Sequence, residues 1–92
     1  MPDLPFTWDP KKARQNLAKH RVSFEEASTV FYDEQGLEME DPDEASGEDR
    51  FVIIGLSANL RLLAVCHFVR AVGKVIRIIS ARNTSRFVRF FF

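Results

Sequence analysis

The chain has 92 residues, of which 46% are hydrophobic and 28% are charged. This composition fits one globular domain over residues 1–92, with a single modest core. One cysteine cannot form an intramolecular disulfide, and one cysteine with two histidines provides no zinc-binding spacing. The sequence therefore predicts a protein of the reducing cytoplasm that needs no metal and no other cofactor.

The net charge of zero conceals a strong division of charge along the chain. All 13 acidic residues lie at or before Asp49, whereas residues 50–92 contain eight lysines or arginines and no acid. Residues 10–21 hold five further bases and no acid. This division indicates either a basic face for a polyanion or an acidic loop that neutralises the basic half in the fold.

The N-terminal segment predicts a short strand followed by a helix. The start, MPDLPFTWDP, has early prolines and no long apolar run, so we expect neither a signal peptide nor a membrane anchor. FTWD at 6–9 is typical of a short strand or extended arm. Asp9 before Pro10 is a strong helix start, and the helix is expected to run to about His20. Its predicted buried stripe comprises Ala13, Leu17 and His20.

The segment VSFEEASTVFYD, residues 22–33, predicts a second helix. Ser23 and Glu26 have the spacing of a capping box at its start, and Gly36 marks its end. Its expected buried stripe comprises Phe24, Ala27, Val30 and Phe31.

The remaining segments predict an antiparallel sheet. LEME at 37–40 alternates like a half-buried strand, and DPDEASGED at 41–49 is too acidic to be anything but an exposed loop. Three apolar runs follow at 50–56, 61–69 and 74–81, with connections short enough to make antiparallel hairpins. A short helix is expected from Thr84 onward. The fold class is α+β, with two N-terminal helices, about four antiparallel strands and a short C-terminal helix.

Basic residues in the predicted strands indicate a phosphate-binding surface. If Val69 lies opposite Val75, His67 lies across from Arg77 on one face, although a slip of one residue would part them. Guanidinium groups bind phosphate oxygens bidentately, and histidine can move a proton near neutral pH. The predicted phosphate-binding surface comprises Arg50, His67, Arg77 and Arg82.

Each of these residues also has a purely structural interpretation. Arg61 and Arg70 lie at strand ends, where arginine is usually a solvated edge residue. Arg77 interrupts an apolar strand, and pairing with a loop acid explains it as well as a functional role does. His67 fits a core or rim position, and His20 fits the C-terminal dipole of its helix.

The motifs together resemble the BrnT family of toxins of type II toxin-antitoxin systems. The resemblance rests on FTWDPKKARQNLAKHRVSFEEASTVFYD, EDRFVIIG and RIISAR, in order and at the family's spacing. It implies a RelE-like fold and a ribonuclease, acting with or without the ribosome, that slows growth. It also implies a ribbon-helix-helix antitoxin, BrnA, which neutralises the toxin and binds operator DNA. No membrane partner is expected, and a homodimer is an open alternative.

Metal-free RNA cleavage gives the basic residues their expected roles. The reaction needs a base for the 2′-hydroxyl, an acid for the leaving oxygen and cations for the phosphorane charge. We assign these catalytic roles to Arg50, His67, Arg77 and Arg82. The expected RNA-binding residues are Lys12, Lys19, His20, Arg86 and Arg89.

The tail departs from the family pattern. Members carry a glutamate and then a tyrosine after SAR, where this chain has Val88 and Phe92, and the chain ends in three phenylalanines. We therefore expect reduced ribonuclease activity. The alternative is a non-catalytic module that acts within an autorepressing toxin-antitoxin complex on DNA.

Overall fold

The fold is organised around one five-stranded mixed sheet. The computed structural model describes residues 5–41, 50–70 and 75–84. The strands are β1 (Phe6–Thr7), β2 (Leu37–Glu40), β3 (Phe51–Leu56), β4 (Leu62–Arg70) and β5 (Val75–Asn83), in the order β1-β5-β4-β3-β2. The helices are α1 (Pro10–His20) and α2 (Phe24–Thr29), with a 3-10 turn at Val30–Tyr32.

The sheet differs from the predicted one in its number of strands and in one pairing. β2 to β5 pair antiparallel as expected, but β1 adds a fifth strand that runs parallel to β5. The parallel pairing was missed because two residues carry no alternation long enough to indicate a strand direction. The expected helix after Thr84 and the loop 42–49 lie outside the described residues.

The helix starts follow the predicted capping signals. The Asp9 side chain accepts the backbone N–H of Lys11 at 2.9 Å, and Pro10 occupies the first turn. Ser23 accepts the N–H of Glu26 at 3.0 Å. Arg21 ends α1 in the left-handed conformation, with φ of 60°. α2 is shorter than expected, because the chain tightens into the 3-10 turn after Thr29.

Both helices cover one face of the sheet and bury a single core there. The expected stripe of α2 is confirmed: Phe24, Ala27 and Val30 are fully buried, and Phe31 packs against them. The prediction for Leu17 was wrong, because this side chain is 49% exposed and its neighbour Asn16 is buried instead. The remaining buried apolar side chains of the cluster are Val22, Ile53, Leu63, Val65, Ile78 and Ala81.

Asn16 joins α1 to the edge of β5. Its amide nitrogen donates to the carbonyl oxygens of Val22 (2.9 Å) and Ala81 (2.8 Å), and its side-chain oxygen accepts the N–H of Ala81 (3.1 Å). The carboxamide thus pairs with β5 much as a neighbouring strand would. Since these groups are buried, the three hydrogen bonds also satisfy backbone groups that water cannot reach.

A charged network fastens the β3–β4 turn to α2. Arg61 donates from Nε to Glu26 at 2.9 Å, makes a second bond to the same carboxylate, and donates to the Arg21 carbonyl at 3.0 Å. The Ser57 hydroxyl also donates to Glu26, at 2.7 Å. The Arg61 hydrogen bond is the main reason why the pKa of Glu26 lies below its ordinary value. Arg61 is therefore a paired structural residue and not the solvated edge residue that was expected.

The other face of the sheet carries no helix among residues 5–41, 50–70 and 75–84. Side chains alternate along each strand, so the residues between the core positions of β3, β4 and β5 point to this open face. No helix in the described ranges is long and apolar enough to cross a membrane.

Replacement of Asn16 by alanine should destabilise the fold by about 2 to 4 kcal/mol. The change removes three hydrogen bonds and leaves the buried N–H of Ala81 without its partner. Urea unfolding measures the loss, and Gln15→Ala, at an exposed neighbouring position, is the control. A loss below about 0.5 kcal/mol, the size usual for surface changes, would contradict this role of Asn16.

Replacement of Glu26 by glutamine should lower the free energy of unfolding at pH 7 by about 1 kcal/mol, since one charged hydrogen-bond partner of Arg61 is lost. The folded pKa of Glu26 lies below its ordinary value of 4.5, so its stabilisation is present above that pH and is lost as the pH falls through the folded pKa. The difference between wild type and Glu26→Gln should therefore shrink in acid. Glu25→Gln, at an exposed position of the same helix, is the control.

Candidate functional site

A cavity of about 440 Å³ lies on the open face of the sheet. Its floor is formed by β3, β4 and β5, and Arg50 and Arg82 contribute the cationic part of its lining. Arg50 immediately precedes β3, and Arg82 pairs with Ala64 near the end of β5. The described residues that line it are Asp41, Arg50, Val52, Ala64, Cys66, Ile79, Ser80 and Arg82.

The two guanidinium groups approach the cavity from different strands. β3 and β5 flank β4, which separates their backbones by about 10 Å. A flexible arginine side chain spans several ångströms, so both groups can reach an anion placed over β4. Each guanidinium presents a planar fork that matches two oxygens of a phosphate group. The arrangement is suited to binding a phosphate diester against an otherwise largely apolar floor.

Asp41 brings one negative charge to the same cavity. Its backbone N–H donates to the Arg50 carbonyl at 2.8 Å, which closes the end of the β2–β3 pair. Its carboxylate accepts the Cys66 thiol, with Sγ and Oδ2 3.2 Å apart. The described lining thus carries two positive charges and one negative charge, and stays cationic overall.

Cys66 is a hydrogen-bond donor here and is poorly suited to act as a nucleophile. Burial, followed by the hydrogen bond to Asp41, raises the pKa of the thiol to about 11. At neutral pH the sulfur therefore keeps its proton, and the thiolate that nucleophilic chemistry requires is scarce.

His67 lies on the opposite side of the sheet from the cavity. Its side chain is fully buried, with its ring against Phe31 at a centroid distance of 4.7 Å. Nδ1 lies 3.0 Å from the Val65 carbonyl oxygen, and Nε2 lies 2.9 Å from Oε1 of Glu38. The structure therefore does not bring this predicted base together with Arg50 and Arg82.

The register of β4 and β5 also places His67 apart from Arg77. His67 pairs with Ile78 and Phe68 pairs with Arg77, because the strands are one residue out of the expected alignment. The register shifts again between Cys66 and His67, where β5 accommodates an extra residue. The expectation that His67 lies across from Arg77 was therefore wrong, and such irregularities leave no mark in the hydrophobic pattern.

Arg77 shares the open face but lies away from the cavity. It is partly buried, and it pairs with Phe68 of β4 and Thr7 of β1. Five positions separate it from Arg82, which corresponds to about 16 Å along an extended strand. Arg77 can therefore contact a long ligand that continues beyond the cavity.

The predicted RNA-binding residues of α1 fall into two groups. Lys12 and Lys19 are exposed, whereas His20 is partly buried in the last turn of the helix. Partial burial, and then the positive charges of Arg82 and Lys19, lower the pKa of His20 below its ordinary value. His20 thus lies within electrostatic reach of Arg82. Arg86 and Arg89 lie outside the described residues, as do Val88 and Phe92.

A second cavity, of about 300 Å³, lies beside the 3-10 turn and is built from structural residues. Asp33 accepts the N–H groups of Leu56 (2.8 Å) and Gln35 (3.0 Å), which lowers the pKa of its carboxyl group. Gly55 permits this approach, because a Cβ there would stand 2.9 Å from the Asp33 carboxylate. No group of three potential metal ligands occurs in the described part of the chain.

Comparison with protein families identifies the family of this chain. The family described as "Ribonuclease toxin, BrnT, of type II toxin-antitoxin system" matches residues 8–87. The chain belongs to the BrnT family. The match spans both helices and every described strand from β2 to β5, so it includes the cavity and its two arginines.

A solved structure supports the BrnT assignment. The chain is similar to the ribonuclease toxin BrnT of Brucella abortus, known from a crystal structure at 1.1 Å resolution, with 26% sequence identity and a TM-score of 0.62. The likeness covers 90% of this chain and 99% of the Brucella chain. A search of curated proteins returned no match.

Membership of the BrnT family confirms the resemblance seen in the sequence and implies an antitoxin partner, since type II toxins act in pairs with one. Of the expected catalytic residues, Arg50 and Arg82 share the cavity, Arg77 lies farther along β5, and His67 is behind the sheet. His20, which the sequence indicated as an RNA-binding residue, is near enough to Arg82 for the arginine charge to lower its pKa.

The thiol of Cys66 should react slowly in this BrnT-family chain. A pKa of about 11, against an ordinary value of 9.0, makes the thiolate about 100-fold scarcer at pH 8. Iodoacetamide labelling followed by mass spectrometry should be correspondingly slower in the native protein than in urea. Asp41→Asn, which removes the carboxylate beside Sγ, should speed the native reaction. Equal rates in the native and unfolded states would refute the raised pKa.

Proposed function

We propose that this protein is a metal-independent endoribonuclease of RelE-like type, which binds the scissile phosphate of RNA between Arg50 and Arg82. The observation that carries the proposal is the cavity on the open sheet face, where these two guanidinium groups line one space of about 440 Å³. The family supports the ribonuclease activity, and the cavity supports the position of the reaction.

The proposed reaction is attack by the ribose 2′-hydroxyl on the adjacent phosphorus. A 2′-oxygen to phosphorus bond forms, and the bond from phosphorus to the 5′-oxygen breaks, which leaves a 2′,3′-cyclic phosphate and a 5′-hydroxyl end. The pentacoordinate phosphorane carries more negative charge than the starting diester. Arginines placed on its oxygens therefore stabilise the transition state more than the ground state.

The remaining basic residues contact flanking nucleotides in this proposal. Arg77 lies on the same face and farther along β5, where the next phosphates of an extended strand would pass. Lys12 and Lys19 are exposed on α1 and supply long-range attraction to the polyanion. Arg86 and Arg89 keep the same expected role. The catalytic role expected for His67 is not retained, because its buried ring faces the helices.

Two features of the sequence and surface complete the proposal. The tail has Val88 and Phe92 where the family pattern has glutamate and tyrosine, so we infer an activity below that of a typical member.

A ribbon-helix-helix antitoxin neutralises the toxin in the cytoplasm and carries the pair to operator DNA. An exposed apolar strip on the open face supports a protein partner; it comprises Leu37 (66% exposed), Met39 (46%) and Leu56 (45%).

Arg50→Ala and Arg82→Ala should each reduce RNA cleavage by about 5- to 150-fold, which corresponds to about 1 to 3 kcal/mol for a charge-assisted phosphate bond. Arg14→Ala, on the exposed surface of α1, removes the same charge away from the cavity and is the matched control. The measurement is cleavage of an end-labelled RNA oligonucleotide by purified toxin in EDTA, with identification of the cyclic phosphate end.

Three results would contradict the proposal. Equal losses in all three variants would indicate a diffuse electrostatic surface instead of a defined site. Loss of wild-type cleavage in EDTA, restored by added Mg²⁺, would overturn the metal-independent reaction. RNA left intact under all conditions would favour the non-catalytic module of an autorepressing complex.

A further inference from the structure

The cavity on the open face has one carboxylate among the described residues that line it. This carboxylate belongs to Asp41, which directly follows β2. The backbone N–H of Asp41 donates to the Arg50 carbonyl at 2.8 Å and thereby places the two residues side by side at the end of the β2–β3 pair. An acidic group is thus held next to one of the two arginines proposed to bind phosphate.

The side chain of Asp41 extends inward over the cavity floor. Its Oδ2 atom accepts a hydrogen bond from the thiol of Cys66, with Sγ 3.2 Å away. Cys66 belongs to β4, and β3 lies between β2 and β4. Strands separated in this way have backbones about 10 Å apart, so the carboxylate must cross β3 on the open face to meet the thiol. The carboxylate is therefore directed into the space that the two arginines line.

The other polar side chains of the described lining are unsuited to accept a proton at neutral pH. Arginine cannot be deprotonated in proteins, which excludes Arg50 and Arg82 as bases. The Cys66 thiol has its pKa raised to about 11, first by burial and then by the Asp41 hydrogen bond, and stays protonated. The hydroxyl of Ser80 itself needs a base before it reacts. Within the described lining, Asp41 is therefore the side chain that can serve as a general base.

The hydrogen bond from Cys66 orients the Asp41 carboxylate without removing its charge. A thiol that keeps its proton donates it to the carboxylate only as a hydrogen bond. A carboxylate offers about four lone-pair positions on its two oxygens, and the thiol uses one of them. The group can consequently accept a further hydrogen bond from a ribose hydroxyl while the thiol keeps it in place.

We propose that Asp41 is the general base of this toxin and takes the proton of the attacking 2′-hydroxyl while Arg50 and Arg82 hold the scissile phosphate. The inference rests on the function proposed above. In the step, the 2′-hydroxyl proton passes to the carboxylate and the 2′-oxygen bonds to phosphorus. The phosphorus to 5′-oxygen bond breaks, and the leaving oxygen takes a proton from water. Solvent then removes the proton from Asp41.

The charge of Asp41 gives binding and cleavage opposite responses to its removal. A carboxylate repels phosphate oxygens, so it opposes the attraction that Arg50 and Arg82 provide. Neutralising it makes the cavity more cationic and should strengthen RNA binding or leave it unchanged. Cleavage should fall at the same time, because the proton acceptor is lost.

The test compares wild type with Asp41→Asn on one short RNA oligonucleotide. The variant should cleave about 100-fold or more slowly at pH 7, in the range usual for loss of a general base. Its affinity for the same oligonucleotide with 2′-deoxy substitution, which cannot be cleaved, should equal or exceed that of wild type in fluorescence anisotropy. Glu40→Gln removes the same charge at the adjacent exposed position of β2 and is the matched control, with cleavage at the wild-type rate.

Chemical rescue separates loss of the proton acceptor from a defect in the fold. Asp41→Ala should be as slow as Asp41→Asn, and added formate should restore part of its activity by supplying a carboxylate in the vacated space. Formate should not speed Arg82→Ala, in which the carboxylate of Asp41 is present. Urea unfolding of each variant checks that its fold persists.

Cleavage by Asp41→Asn at or above the wild-type rate would overturn the role of Asp41 and leave the proposed ribonuclease site standing. A parallel loss of affinity and cleavage, with no rescue of Asp41→Ala by formate, would also overturn it, because Asp41 would then only position Arg50. Absence of cleavage by the wild-type toxin itself would overturn the proposed function and this inference together.

Discussion

The side chain of Asn16 is the contact on which the arrangement of the site depends. β1 pairs with β5 only at Ile76 and Arg77, so the edge of β5 beyond that point needs another partner. Asn16 supplies it at Ala81, and also binds the carbonyl of Val22 in the connection to α2. One carboxamide thus joins α1, the α1–α2 connection and β5. Its hydrogen bonds to Ala81 hold α1 beside the cationic end of β5.

The two faces of the sheet have separate tasks. The helices cover one face, where the apolar stripe of α2 and the buried His67 pack against β3, β4 and β5. The other face presents Arg50 and Arg82 beside side chains that are mostly short or apolar. A stable core and an accessible cationic surface therefore coexist in a small chain because they lie on opposite sides of one sheet.

The division of charge in the sequence is used in two ways. Glu26 of the acidic half pairs with Arg61 of the basic half, which secures the β3–β4 turn to α2. Asp41 instead lies in the cavity with Arg50 and Arg82. The role of each arginine therefore depends on the acid that the fold places beside it.

Local signals in the sequence determined the helix starts at Asp9 and Ser23, the buried stripe of α2, the antiparallel strands and the family, because each depends on neighbouring residues or on a fixed spacing. Only the tertiary structure decided the parallel pairing of β1, the shifted register that separates His67 from Arg77, and the burial of Asn16 in place of Leu17. These features depend on contacts between residues far apart in the chain, such as Asn16 and Ala81. The sequence around each residue does not indicate such contacts. A polar side chain such as Asn16 is stable in water, and it is also stable in a buried site when the fold supplies hydrogen-bond partners.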